Sequence, residues 1–203
     1  DFIVAHSECD QQGLLVALLR GAFEYQGQKC SAASRAYIPE SVWDAIGNDL
    51  VSEVEKINIG DCKDFTNFMT SVIDQRAFDK ITGYIQRAKD NNNCEIVVGG
   101  NSNQETGWFI EPTIIVTKDP MSESMVEEIF GPVLTIYVYD DNKFEETLKL
   151  CDESSPYALT GAIFAKSEEN IETAYNALRF TAGNFYINDK PTGAVVAQQP
   201  FGG

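Results

Sequence analysis

Short apolar runs suited to buried strands alternate along this chain with longer stretches whose apolar residues recur every three or four positions. That alternation limits the fold more than any other feature. Asp1 to His6 reads as a strand, through Phe2, Ile3, Val4 and Ala5, and a polar break separates it from a helix marked by Leu14, Leu15, Ala17, Leu18 and Ala22. Gly27 is the expected helix stop, and Arg35-Ala36-Tyr37-Ile38 is a strand ended by Pro39. Ser41 is the expected cap of a second helix carrying Val42, Trp43, Ile46, Leu50, Val54 and Ile57, and a loop runs from Gly60 to Thr70. A third helix spans Asp74 to Lys89, with Phe78, Ile81, Ile85 and Ala88 on one side, and the polar run Asp90 to Asn93 ends it. Strands follow at Cys94 to Val98 and, interrupted by Pro112, at Trp108 to Val116. The remainder reads as strand 133–139, helix 144–151, strand 161–165, helix 168–180 and strand 184–188. The predicted fold is α/β, a three-layer α/β/α arrangement around a mostly parallel sheet, in one domain over residues 1–203 without a linker or internal repeat.

The balance of 31 acidic against 15 basic residues gives a formal charge of -16, which repels phosphate backbones and anionic lipid surfaces. No nucleic-acid partner is expected. No apolar run approaches the length of a membrane span, so no membrane partner is expected either. The five cysteines, Cys9, Cys30, Cys62, Cys94 and Cys151, are odd in number and scattered, which favours free thiols in a reducing compartment. With a single histidine and no closely spaced thiols, no metal site is expected. A first residue other than Met and a last pair Gly202-Gly203 lead to the expectation that both ends are cuts in a longer chain.

Three stretches carry candidate chemistry. In Gly21-Ala-Phe-Glu-Tyr-Gln-Gly-Gln-Lys-Cys-Ser-Ala32, the thiol of Cys30 lies on the connection between a helix and a strand, where reactive groups are commonly displayed. A free cysteine is more often a small buried hydrophobe. Against that stand the polar neighbours Gln26, Gln28 and Ser31, and the cation of Lys29, which favours thiolate; the helix C-terminus just ahead acts the other way. His6, at the end of an apolar run, is the only histidine a Cys30 hydrolase could use as base, and a structural imidazole is the plainer reading. In Glu127-Glu-Ile-Phe-Gly-Pro132, Glu128 can accept from sugar hydroxyls and Phe130 can pack on a flat ring, or else the motif is an acidic turn with Phe130 in the core. In Lys190-Pro-Thr-Gly-Ala-Val-Val196, the small residues Gly193 and Ala194 leave backbone N–H groups open to a carboxylate, or merely permit a turn. Gly99-Gly100 lacks the spacing of either Gly-rich nucleotide fingerprint.

In this order the three stretches resemble the catalytic domain of the aldehyde dehydrogenase superfamily, and within it the branch that oxidises glutamate 5-semialdehyde, the open form of Δ1-pyrroline-5-carboxylate. The matching segments are Phe23 to Ala32, Glu127 to Val133, Gly183 to Lys190 and Gln199 to Gly203, so the likeness runs through nearly the whole chain. The resemblance implies that Cys30 is the nucleophile and its N–H an oxyanion donor, that Glu128 and Phe130 hold NAD, and that Ser31, Gly193, Ala194 and Phe201 bind an aldehyde substrate bearing a carboxylate. At the position of Ala194 the family has Ser or Ala, so the contact expected there is to backbone. The deacylating Glu, the Asn completing the oxyanion hole, the cofactor-binding domain and an oligomerisation flap are not among these residues. The expectation is therefore a domain without turnover of its own, from a homo-oligomeric enzyme that in eukaryotes resides in the mitochondrial matrix. The alternatives are another semialdehyde dehydrogenase, a non-catalytic binding or assembly module, and a hydrolase using Cys30 with His6.

Overall fold

A computed structural model describes residues 1–157, 159–195 and 197–203. Its centre is a seven-stranded sheet with strands β1 (Phe2–Ala5), β2 (Arg35–Pro39), β3 (Cys94–Val98), β6 (Thr113–Thr117), β7 (Val133–Tyr139), β8 (Thr160–Phe164) and β9 (Asn184–Ile187). Their spatial order is β3-β6-β7-β2-β1-β8-β9, with β3 antiparallel to β6 and the other neighbours parallel. Every residue of β1, β2 and β8 is buried, as parallel strands covered on both faces require. Alternate residues divide between the faces. Ile3, Ala36, Ile38, Leu134 and Ala162 pack with α1 (Gln11–Phe23) and α2 (Glu40–Glu55). Phe2, Val4, Tyr37, Tyr139 and Ile163 pack with α5 (Phe144–Glu153) and α6 (Glu168–Leu178). Helix α3 (Gln75–Lys89) covers the β6–β7 end through Phe78, Ile81 and Ile85 against Ile115 and Val133. The predicted three layers and mostly parallel sheet are therefore present.

Several local expectations need correction. Ser41 is not the cap of α2, which begins at Glu40 directly after Pro39, whose φ of -63° and ψ of 149° suit the cap position. The carboxylate of Asp141 accepts from the Ser41 N–H at 3.1 Å and from its hydroxyl, a role that only the tertiary fold reveals. Pro39 itself belongs to β2. The run Trp108 to Val116 splits at Pro112. Phe109–Ile110 (β5) pairs with Ser102–Asn103 (β4) in a separate hairpin, and β6 joins the main sheet. The short helix α4 (Glu123–Val126) had no periodic signal.

Burial pushes the thiol of Cys9 up to about 11 and that of Cys151 up to about 12, against ~8.5 for a free thiol. The folded chain keeps these protons through a range in which the unfolded chain has released them. This contribution is complete below about pH 8 and is lost as pH rises toward the folded values. Urea unfolding at about pH 8 and about pH 9.5 should show a loss of about 1 kcal/mol for each thiol. Cys151→Ala should shrink that difference, and equal stabilities at the two pH values would contradict it.

Candidate functional site

A cleft of about 400 Å³ brings together Cys30, Glu128, Phe130, Gly131, Arg35 and Tyr157. It lies where the chain enters β1, β2, β7 and β8, at the amino ends of the parallel strands, with Asp1, Ser34, Val133 and Leu159 on its wall. Ligands in open α/β sheets usually sit at the carboxyl ends, so here the segments entering the strands carry the site. A separate depression of about 630 Å³ over Cys62 and the β4–β5 hairpin, with Ile59 and Phe109 among its walls, contains none of the predicted site residues.

The Cys30 segment is a strained backbone locked from several sides. Helix α1 stops at Phe23, earlier than expected, and Tyr25, Gln26 and Gly27 then take φ values of 57°, 57° and 64°. Two successive non-glycine residues in that region cost on the order of 1 kcal/mol each or more. Compensation comes from the buried Gln26 amide, which donates to the Ser71 carbonyl at 3.2 Å, and from Gln28 Oε1, which accepts from Ile73 N–H at 2.8 Å. A Cβ on Gly27 would lie 2.2 Å from the Gly131 carbonyl oxygen. Cys30 and Phe130 thus share one rigid junction. Cys30 itself is exposed in a tight turn closed by Ala32 N–H on the Lys29 carbonyl at 3.0 Å. Ser31 follows, half-buried, its carbonyl accepting from Thr160 Oγ1 at 3.4 Å. The Lys29 ammonium, next in sequence to the thiol, is engaged by Glu24 at 3.0 Å.

In the Glu127–Pro132 motif the core residue is Ile129, buried beside α3, and not Phe130. Glu128 and Phe130 flank it and are exposed, the Phe130 ring at 41% with φ 62°. Lys80 donates to the Glu128 carbonyl at 2.7 Å, leaving the carboxylate to the cleft. The alternative that put Phe130 in the core does not hold, since Ile129 is buried there instead. Arg35, fully buried, donates to Ser154 Oγ and to the Cys151 carbonyl, fixing the end of α5 beside the Tyr157 wall.

None of the four residues predicted to bind substrate, Ser31, Gly193, Ala194 and Phe201, lines this cleft. Gly193 and Ala194 are half-buried on the loop after β9, where a Cβ on Gly193 would meet Asp189 Oδ2 at 3.1 Å and the Tyr186 ring at 3.2 Å. Phe201 is 50% exposed on the closing segment. Asn184 ties that segment down through the Pro200 carbonyl at 2.7 Å and the Gly202 N–H at 3.3 Å, and Gly203 reaches the cleft. Val196 lies outside the described residues.

His6 is at the far side of the sheet. It follows the carboxyl end of β1, its N–H on the Phe164 carbonyl at 2.8 Å and its ring edge-on to Phe144, whereas Cys30 precedes the amino end of the parallel neighbour β2. At ~3.3 Å per residue the strands alone place them more than ~10 Å apart. A Cys30–His6 hydrolase is excluded. Sequence reasoning missed the Gly27–Gly131 junction, the anchoring of Gln26 on Ser71, the partners of Arg35 and the Glu24–Lys190 pair, since each joins distant segments.

The sequence profile described as aldehyde dehydrogenase family matches residues 1–203. The chain is 59% identical over its whole length to the mitochondrial Delta-1-pyrroline-5-carboxylate dehydrogenase of Dictyostelium discoideum and covers 36% of that protein. Against the Danio rerio protein of the same name, identity is 49% over all of this chain and 37% of the relative. The chain thus spans little more than a third of the curated relatives it matches. Among solved structures, the Delta-pyrroline-5-carboxylate dehydrogenase from Mycobacterium tuberculosis bound with NAD superposes with a TM-score of 0.94 at 47% identity, covering all of this chain and 37% of that one. With the profile matched from the first residue to the last and the α/β/α frame shared with these structures, the chain belongs to the aldehyde dehydrogenase family.

Proposed function

We propose that this chain is the thiol-bearing catalytic domain of an NAD-dependent dehydrogenase that oxidises L-glutamate 5-semialdehyde, from Δ1-pyrroline-5-carboxylate, to L-glutamate in proline catabolism. The observation that carries the reading is one cleft holding an exposed thiol, an exposed carboxylate and an exposed aromatic ring on a shared rigid junction. Cys30 Sγ adds to the aldehyde carbon as a thiohemiacetal. Once that carbon is oxidised, the acyl group remains on sulfur as a thioester, and water releases the carboxylate and the thiol. The Cys30 N–H, which has no acceptor among the described residues, is one donor to the developing oxyanion.

The Glu128 carboxylate and the Phe130 ring fit NAD, the first accepting from ribose hydroxyls and the second packing beside the nicotinamide. Bound NAD supplies the hydride acceptor. Ser31 and the N–H groups of Gly193 and Ala194, which also donate to nothing among the described residues, hold the substrate carboxylate, with Phe201 against its aliphatic part. In this reading the remaining length found in the relatives supplies the other oxyanion donor, the deacylating carboxylate and most of the NAD site. The chain alone then turns over little, and the whole enzyme is a homo-oligomer of the mitochondrial matrix; the names of several relatives call those proteins mitochondrial.

NADH formation from glutamate semialdehyde tests this with two proteins, this chain and a polypeptide joining it to the remaining length of its relatives. The longer protein should prefer glutamate semialdehyde to succinate semialdehyde by at least ~10-fold in kcat/KM, the value of about one methylene. The chain alone should stay below about 1% of that rate, the order of loss seen when an oxyanion donor is removed. Equal use of both aldehydes would overturn the substrate, and full activity of the chain alone would overturn the division of labour.

A further inference from the structure

One carboxylate behind the cleft gathers three cations. Glu24, at the end of α1 and 14% exposed, accepts from Arg20 at 2.6 Å, Lys29 at 3.0 Å and Lys190 at 3.2 Å. Lys29 immediately precedes the Cys30 thiol. Lys190 opens the loop that carries Gly193 and Ala194, and its ammonium also donates to Thr192 Oγ1 at 3.0 Å. Burial works to raise the Glu24 carboxyl, but the hydrogen bonds from Lys29 and Lys190 outweigh it and hold the group below the usual carboxylate range. The loop is also seated on α1, since a Cβ on Gly21 would lie 3.5 Å from Pro191 Cδ and 3.6 Å from Lys190 Cβ. Without a shared anion the two lysines would repel each other and return to water.

We propose that Glu24 is a positioning residue that fixes the separation between the Cys30 thiol and the Gly193–Ala194 backbone, and so determines which chain length of carboxylate-bearing aldehyde reacts. The inference rests on the roles proposed above for those two points. A substrate with an aldehyde at one end and a carboxylate at the other is measured by the distance between two holders. A displacement of about 1 Å in such a site costs up to ~100-fold in rate. A neutral aldehyde without the second group is insensitive to that distance.

The test is kcat/KM of the full-length enzyme, wild type and Glu24→Gln, for glutamate semialdehyde, succinate semialdehyde and propanal. Glu24→Gln should reduce the five-carbon to four-carbon preference by about tenfold and leave propanal within about twofold. Lys190→Met, which removes only the loop's arm and leaves Glu24 with Lys29, should shift the same ratio, and Glu24→Asp should fall between Gln and wild type. An equal fall for all three aldehydes, or an unchanged ratio, overturns the positioning role. A wild type that does not prefer acid aldehydes to propanal overturns the carboxylate-holding reading and this inference with it, whereas a wild-type preference that survives both variants overturns the inference alone.

Discussion

Replacing Cys30 by Ala in the full-length protein is expected to lower dehydrogenase turnover by at least ~10⁴-fold, the scale of removing a covalent nucleophile. Stability should move by no more than about 0.5 kcal/mol, as for other surface positions. The two expectations have separate grounds. The thiol is exposed, and the turn around it is closed by the backbone bond from Ala32 to Lys29 and by the side chains of Gln26 and Gln28, none of which needs the sulfur. The chemistry does need it, because no other thiol lines the cleft among the described residues; Cys62 lies over the separate depression, Cys94 is half-buried on β3, and Cys9 and Cys151 are buried. Cys62→Ala, which removes the other exposed thiol, is the internal control and should leave kcat within about twofold. Steady-state kinetics with a urea titration of each variant settles the matter. More than about 1% residual turnover in Cys30→Ala would mean that the sulfur is not the nucleophile.

The layered frame was legible because its signals are local. A short, fully apolar run bounded by polar residues, such as Phe2 to Ala5, suits a central strand, and Phe78, Ile81, Ile85 and Ala88 share one helical face, all four buried as their spacing requires. What could not be read was set by contacts between distant segments. Glu127 to Pro132 alone allows Phe130 or Ile129 to be the buried residue, and only the position of α3 selects Ile129. Glu24 sits five residues before Lys29, but that its carboxylate also takes Lys190, 166 residues on, only the fold shows. His6 is the only histidine in the sequence, yet strand direction puts it at the carboxyl ends of the strands and Cys30 at their amino ends. Ser41 loses the cap position because Pro39 carries the strand straight into the helix and Asp141, 100 residues on, supplies the carboxylate.

Gly27→Ala is expected to cost at least about 3 kcal/mol, with both sterics and backbone conformation contributing. The new methyl would meet two backbone atoms, the Gly131 carbonyl oxygen at 2.2 Å and the Ala22 carbonyl oxygen at 2.9 Å, neither of which can rotate aside. The φ of +64° adds a conformational cost to any L side chain. Relief requires motion of α1, which Leu14, Leu18 and Ala22 hold in the core, or of Gly131, which would draw Ile129 out from beside α3. At roughly 2–4 °C per kcal/mol for a chain of this size, the melting temperature should fall by about 6 to 12 °C. Gly202→Ala is the matched control, since a Cβ there meets nothing within 4 Å, and it should shift stability by less than about 0.5 kcal/mol. A loss below about 1 kcal/mol for Gly27→Ala would show that the junction yields more readily than its backbone contacts imply. The same contact ties stability to the site: whatever moves Gly131 to admit a methyl also moves Phe130 relative to Cys30, so the fraction that remains folded should carry a lowered kcat, which Gly202→Ala should not.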